Sequence, residues 1–261
     1  MKRWLELATI ALAVAIPGRV AARCALPAPP TQRVALQEGA SATTLTKGRG
    51  NWSGASVLVV ARDGNKRSAY VRAADDVRFG ENDNEYEAGA YLAVTPHVIA
   101  DLIGSFSPQH NVLPASSAQG DLDLRAGAGY GYQAGYATRQ YTSVGASIVH
   151  VGMDRYFRDL RLAGTITFAR LSNVSGIALS EGVSMARYLP CDTENFAIST
   201  GRDVENVGFG TPPAVYHSLS FSLGDTHRLS SRIGLAIGMG WYGLTGAYDR
   251  LEVRVALRER L

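Results

Sequence analysis

The chain reads as an all-β protein: a transmembrane antiparallel up-and-down β-barrel of about fourteen strands, with twelve as the alternative count. Three observations predict this. Leu219, Phe221 and Leu223 alternate with Ser218, Ser220, Ser222 and Gly224. Successive side chains of a strand point to opposite faces, so one face there is greasy and the other small and polar. The same pattern returns at Ile233, Leu235, Ile237, Met239 and Trp241, opposed by Gly234, Ala236, Gly238 and Gly240. It returns again where Leu122 and Leu124 oppose Asp121, Asp123 and Arg125. Strands of about ten residues with one apolar face are the mark of a membrane barrel.

Taken in order, residues 1–22 read as a secretory signal peptide. Lys2 and Arg3 precede an apolar run from Leu7 to Ile16, and Val20, Ala21 and Ala22 supply small residues before a cut. The run is too short to span a bilayer as a helix. Residues 23–31, with Pro27, Pro29 and Pro30, read as an extended periplasmic leader. The barrel domain occupies 32–261. Its strands are expected near 32–46, 52–62, 67–79, 84–94, 97–107, 120–132, 134–141, 145–157, 159–171, 176–189, 193–203, 214–226, 231–243 and 249–260. The first is the weakest, because 32–46 alternates poorly. The even connections are short, at Asp63 to Asn65, Thr95 and Pro96, Gln133, Arg158, Pro190 to Asp192 and around Arg228 to Ser230. The odd ones are mostly longer, as at 106–119 and at 204–213 with Gly208 and Gly210. Short periplasmic turns and longer extracellular loops are the habit of outer-membrane barrels.

The register sorts the side chains. Val71, Leu92, Val149, Val151, Met153, Ile166, Phe168, Val183, Met185, Val253 and Val255 fall on the lipid face. Arg72, Asp101, Asp121, Asp123, Arg125, His150, Asp154, Arg161, Glu252, Arg254 and Arg258 fall on the other, as expected of a wet lumen. A soluble sandwich would reverse the faces, and alternation alone does not distinguish the two. The export signal and the strand number favour the barrel. Trp52, Tyr86, Tyr130, Tyr156, Phe157, Tyr188 and Trp241 lie near strand ends and resemble interfacial girdles. Asp75 and Glu181 fall on the lipid parity, which predicts a bulge or a register shift at each.

The chain resembles the YaiO-like family of outer-membrane β-barrels. The matching stretches are Val77 to Tyr91, Ser105 to Pro108 with Pro114 after it, Val151 to Phe157, and Ala186 to Tyr188 onward, together spanning about residues 40–261. The resemblance implies an outer-membrane location and points toward cell-surface polysaccharide systems. It supplies no catalytic residues. One departure is the final Leu261, where such barrels commonly end in Phe or Trp.

Removing Lys2, Arg3, Arg19 and Glu6 with the signal takes the formal charge from +3 to +1, which gives nucleic acid no electrostatic footprint. His150 and Asp154 lie four apart on one strand face, about 13 Å, beyond direct bonding, so a hydrated lumen network is the reading over a catalytic dyad. The serines near 218–222 lack a nucleophile-elbow context. The glycines at 127–131 and 234–240 read as strand packing and not as phosphate loops. No cofactor or metal follows. Cys24 and Cys191 both face the oxidising periplasm in this topology. A leader of about eight residues reaches at most about 26 Å, so they can pair, the alternative being two free thiols. The expected role is structural or transport-like, with outer-membrane lipid, the barrel assembly machinery and surface polysaccharide components as partners. The alternative is a barrel hydrolase or lipid-modifying enzyme with its site at the extracellular rim.

Overall fold

The computed structural model describes residues 34–47, 50–64, 67–207 and 211–261. The expected signal peptide, the leader with Cys24, and the turn and loop positions Asn65, Gly208 and Gly210 lie outside the described residues. Fourteen strands close a barrel in which each pairs antiparallel with its chain neighbours. They are β1 (Val34–Leu45), β2 (Trp52–Asp63), β3 (Arg67–Arg78), β4 (Glu81–Ala93), β5 (Val98–Phe106), β6 (Ser116–Arg125), β7 (Tyr130–Gln140), β8 (Gly145–Phe157), β9 (Leu160–Leu171), β10 (Ala178–Tyr188), β11 (Asp192–Glu205), β12 (Ala214–Arg228), β13 (Ile233–Leu244) and β14 (Asp249–Arg260). The seam joins β1 to β14, from Ala35 opposite Arg260 to Leu45 opposite Arg250. Closure satisfies every ladder without leaving an edge, the condition for crossing hydrocarbon with strands. It fixes the count at fourteen.

β1 alternates poorly because both its faces are mild. Gln37, Gly39, Ser41 and Thr43 share the face of Arg258, Ala256, Arg254 and Glu252, while Glu38, Ala40, Ala42 and Thr44 face outward. Its place is set by the ladders on either side and not by a strong apolar stripe.

One boundary differs from the sequence expectation. A single strand over 120–132 is in fact the end of β6, a one-turn 3-10 segment at Gly127–Gly129, and the start of β7. Ala128 and Gly129 take positive φ angles of 59° and 78° and reverse the chain. The period-two glycines run through this turn and hide it, so the expected turn at Gln133 lies inside β7.

The expected bulges are absent. The ladders of β3 with β2 and β4, and of β10 with β9 and β11, run without interruption past Asp75 and Glu181. Both carboxylates keep outer parity. Asp75 lies close to the loop-bearing end of β3, where Asn82 Nδ2 donates to it at 3.2 Å. Glu181 lies in the half of β10 nearest the 172–177 loop. The cost of an outward charge falls to about 0–1 kcal/mol near the interface, so neither position needs a distorted strand.

The outer surface carries Leu122, Val151, Met153, Val183, Leu219, Leu223, Val253 and Leu257, all exposed. Tyr86 stacks on Phe106 and Phe221 on Trp241 there, with ring centroids 5.2 and 5.7 Å apart. At the opposite rim the Arg155 guanidinium lies over Tyr130 and Phe157. Three of the expected girdle aromatics point the other way. Tyr156 and Tyr188 stack on the enclosed face at the turn-bearing end. Trp52 is 6% exposed and packs edge-on against Phe79 and the fully buried Tyr248, in a cluster with Leu45, Leu244 and Ala247. An aromatic near a strand end looks alike in sequence whichever face it takes.

Candidate functional site: a charged lumen beneath an inward-folded loop

The connection between β5 and β6, residues 107–115, turns back into the barrel. Ser107 N donates to Ala115 O at its base, and His110 N donates to Ser107 Oγ. Its tip is held by one side chain. The Asp83 carboxylate, 2% exposed on β4, accepts the backbone N–H groups of Asn111, Val112 and Leu113 at 2.8, 2.7 and 2.8 Å. Ionised acceptors make the stronger class of hydrogen bond, and three such bonds fix the local backbone. Asn206, just after β11, donates from Nδ2 to Val112 O at 3.2 Å and clamps the tip from across the barrel.

Val112, Leu113 and Pro114 roof a cavity of about 400 Å³ inside the barrel. Its walls carry Asp76, Arg78, Glu85, Glu87, Arg139, Glu205, Arg250, Glu252 and Arg254, together with Ser41, Thr43, Ser105 and Ser117. The charges are paired across and along strands. Arg72 reaches Glu85 at 2.9 Å and Glu87 at 3.8 Å, Arg78 reaches Asp76 at 3.7 Å, and Arg250 reaches Glu205 at 3.7 Å. Arg254 contacts Glu252 on its own strand. Ser105 donates to Glu85 and shares a 2.8 Å bond with Ser117. Beside the cavity mouth, burial raises the Tyr141 phenol above its ordinary pKa, which keeps it neutral.

Of the charged residues expected inside, Arg72 and Arg254 belong to this cavity region. Asp101, Asp123, Arg125, His150, Asp154 and Arg161 gather lower, toward the turn-bearing end, on the enclosed face of β5 to β9. Asp101 stands directly opposite Asp121 in the ladder, with Asp123 two positions along. His150 Nε2 approaches Asp121 Oδ1 at 2.5 Å, a close contact not aligned as a hydrogen bond, and Gln119 Nε2 donates to Oδ2 at 2.7 Å. The His150 contact spans a whole strand: Gly135 of β7 lies between Asp121 and His150 in the ladders. A Cβ at Gly135 would fall 1.9 Å from Asp121 Oδ1 and 2.4 Å from His150 Cε1. Asp154 pairs with Arg161 at 3.2 Å, so the four-residue spacing to His150 carries no contact. Arg125 ends β6 opposite Gly131.

The inward loop, its Asp83 anchor and the glycine between Asp121 and His150 escaped the sequence reading. Asp83 sits in a run of acidic and amide residues that resembles a solvated turn, and nothing local marks its partners. Cys191 lies in the turn after β10 and is not a free thiol. Among the described residues, no group of three or more His, Cys, Asp or Glu side chains is arranged to hold a metal ion.

Comparison with known proteins agrees with this architecture. The family described as the YaiO membrane beta barrel domain matches residues 33–202. No curated protein matches the chain significantly. Among solved structures, the chain is similar to a bacterial polysaccharide outer membrane secretin, with a TM-score of 0.57 and 10% identity over 88% of this chain and 99% of that one. It is similar to the CymD monoaromatic hydrocarbon channel, with a TM-score of 0.59 and 9% identity over 88% and 89%. Omp33 of Acinetobacter baumannii gives 0.53 and 8% over 88% and 98%. At these identities the likeness is one of fold.

Proposed function

The chain belongs to the YaiO membrane β-barrel family and resides in the outer membrane, and from that premise we propose that it is a narrow channel for small polar solutes. The observation that carries this reading is the loop 107–115, held inside the barrel by Asp83 above a cavity of paired charges. A loop folded inward from the wall narrows a barrel without closing it, and mixed-sign walls replace water around a polar solute at a constriction. Hydroxyl-rich solutes such as short saccharide segments suit a lining that alternates Arg72, Glu85, Ser105 and Ser117, because every hydroxyl finds both donors and acceptors there. A place in an envelope polysaccharide system is the biological form this reading takes. Outer-membrane lipid is the partner of the outer face, and the barrel assembly machinery is the partner for insertion.

A rim hydrolase would need a carboxylate or imidazole free to accept a proton. Two buried or half-buried carboxylates near the loop end are already engaged: Asp83 with three backbone N–H groups, and Asp203 with Ser218 and Tyr242. This favours passage over chemistry.

Liposome swelling with the purified protein tests the proposal. Small sugars and amino acids should enter faster than into empty vesicles, with a sharp upper size limit. Vesicles that swell no faster than empty ones with any solute would overturn it.

A further inference from the structure

Four arginines share the enclosed face near the turn-bearing end of the barrel, on the wall opposite β5 to β8. Arg228 ends β12, Arg258 and Arg260 lie in the last turn of residues of β14, and Arg62 lies next to the end of β2. In the ladders Arg228 and Arg258 flank Gly234 on either side. Gly234 contributes no side chain, and a Cβ there would meet only His227 O at 3.6 Å. The gap between the two guanidinium groups is therefore open. Arg62 and Arg260 are close enough to Arg258 to repel its charge, and Arg62 and Arg228 do the same to Arg260.

None of the four has a carboxylate partner among the described residues. The nearest acidic side chains in sequence, Asp63 and Glu259, take outer parity in their strands. Residues 23–37 contain no Asp or Glu that could neutralise the group from the leader. Elsewhere on the enclosed face Arg72, Arg78, Arg161, Arg250 and Arg254 each pair with an acid, and Arg125 and Arg139, which form no ion pair, still lie near Asp123 and Glu205. Like charges crowded in a partly desolvated mouth are costly unless something anionic sits among them. Guanidinium groups bind phosphate and carboxylate oxygens in fork geometry.

We propose that Arg62, Arg228, Arg258 and Arg260 form a receiving site for a multivalent oxyanion, a phosphate- or carboxylate-bearing solute, at the periplasmic mouth of the barrel. This deepens the channel reading by naming a solute class. The site sits on the turn-bearing side, which is the periplasmic side of such barrels. It is the first station for an outgoing anion or the last for an incoming one.

The test is calorimetric titration of the purified full-length barrel in uncharged detergent micelles, with tripolyphosphate and, separately, citrate as probes. At least one probe should bind, and added salt should weaken it as screening requires. Each arginine changed to Gln should weaken binding about tenfold, and Arg258→Gln with Arg260→Gln about a hundredfold. Arg258→Lys should bind between wild type and Arg258→Gln. Arg187→Gln, whose arginine is an exposed outer-face residue, should bind as wild type does. Unchanged melting temperature and barrel mobility on electrophoresis show that each variant is folded. Absence of binding for both probes, or equal binding by wild type and the Arg258/Arg260 double variant, would overturn the site. Binding is read without ion flow, so a protein that binds the probe but passes no solute keeps this site and loses the channel reading. Solute passage without probe binding does the reverse.

Discussion

The Asp83 carboxylate accepts the backbone N–H of Val112 at 2.7 Å, joining residues 29 apart in sequence. Neighbouring bonds to Asn111 and Leu113 make Asp83 the single post on which the inward loop rests. Removing it leaves three backbone donors without their acceptor while the barrel wall is untouched. Asp83→Ala should therefore lower stability by about 1–3 kcal/mol, the cost of unsatisfied buried donors. Limited proteolysis should cut the variant within 107–115 while the wild type resists. A wild-type-like melting curve together with a resistant loop would show that Asp83 does not hold it.

Gly135 separates Asp121 from His150 and lends them its empty space. Gly135→Ala should push the pair apart, because its Cβ would lie 1.9 Å from Asp121 Oδ1. We expect a loss of about 1–3 kcal/mol. In an Asp121→Ala background the same change should cost distinctly less, since the atom it strikes is gone. Additive losses in a double-mutant cycle would contradict this geometry.

The faces of β13 and β14 are tested by charge. Leu235 stands opposite Leu257, and Ile237 opposite Val255, on the outer face. Val255→Arg, mid-way along β14, should hinder folding into lipid by about 2–4 kcal/mol, and Leu235→Arg, close to the turn-bearing end of β13, by less. Gly238→Arg places its charge on the enclosed face and should cost less, through crowding alone. Folding titrations into lipid vesicles that rank Gly238→Arg as the most damaging would invert the register.

The faces of this barrel were legible in sequence because bilayer and lumen impose opposite solvents on alternate residues. Leu219, Phe221 and Leu223 against Ser218, Ser220 and Ser222 carry that signal without help from the rest of the chain. β1 carries almost none of it, since Glu38, Ala40 and Ala42 face outward beside a polar inner row. The turn at Gly127–Gly129 was hidden because glycine serves equally as a small strand residue and as a residue with positive φ. Arg72, Asp121 and His150 could each be assigned to the inner face by parity. Their partners could not, because Glu85, Gln119 and the space over Gly135 are set by the register between separate strands. The inward course of 107–115 depends on Asp83 and Asn206, both remote from it in sequence. The Arg62, Arg228, Arg258 and Arg260 group draws on three strands and exists only once the barrel closes.

Cys191 lies in the turn after β10, on the same end of the barrel as the start of β1. We expect it to pair with Cys24 in the exported chain, tying the leader to the rim. Maleimide labelling of the denatured, unreduced protein should then modify neither cysteine, and reduction should expose both. Stoichiometric labelling of both without reductant would exclude the bridge.

In a conducting barrel of this form, the loop held by Asp83 sets the width of the lumen. Single-channel recording in planar bilayers, comparing wild type with Asp83→Ala, tests it most directly. The wild type should show small, uniform current steps, and the variant larger and noisier ones as the loop leaves the lumen. Equal step sizes for the two proteins would show that the loop does not set the width, and no steps from either that the barrel does not conduct.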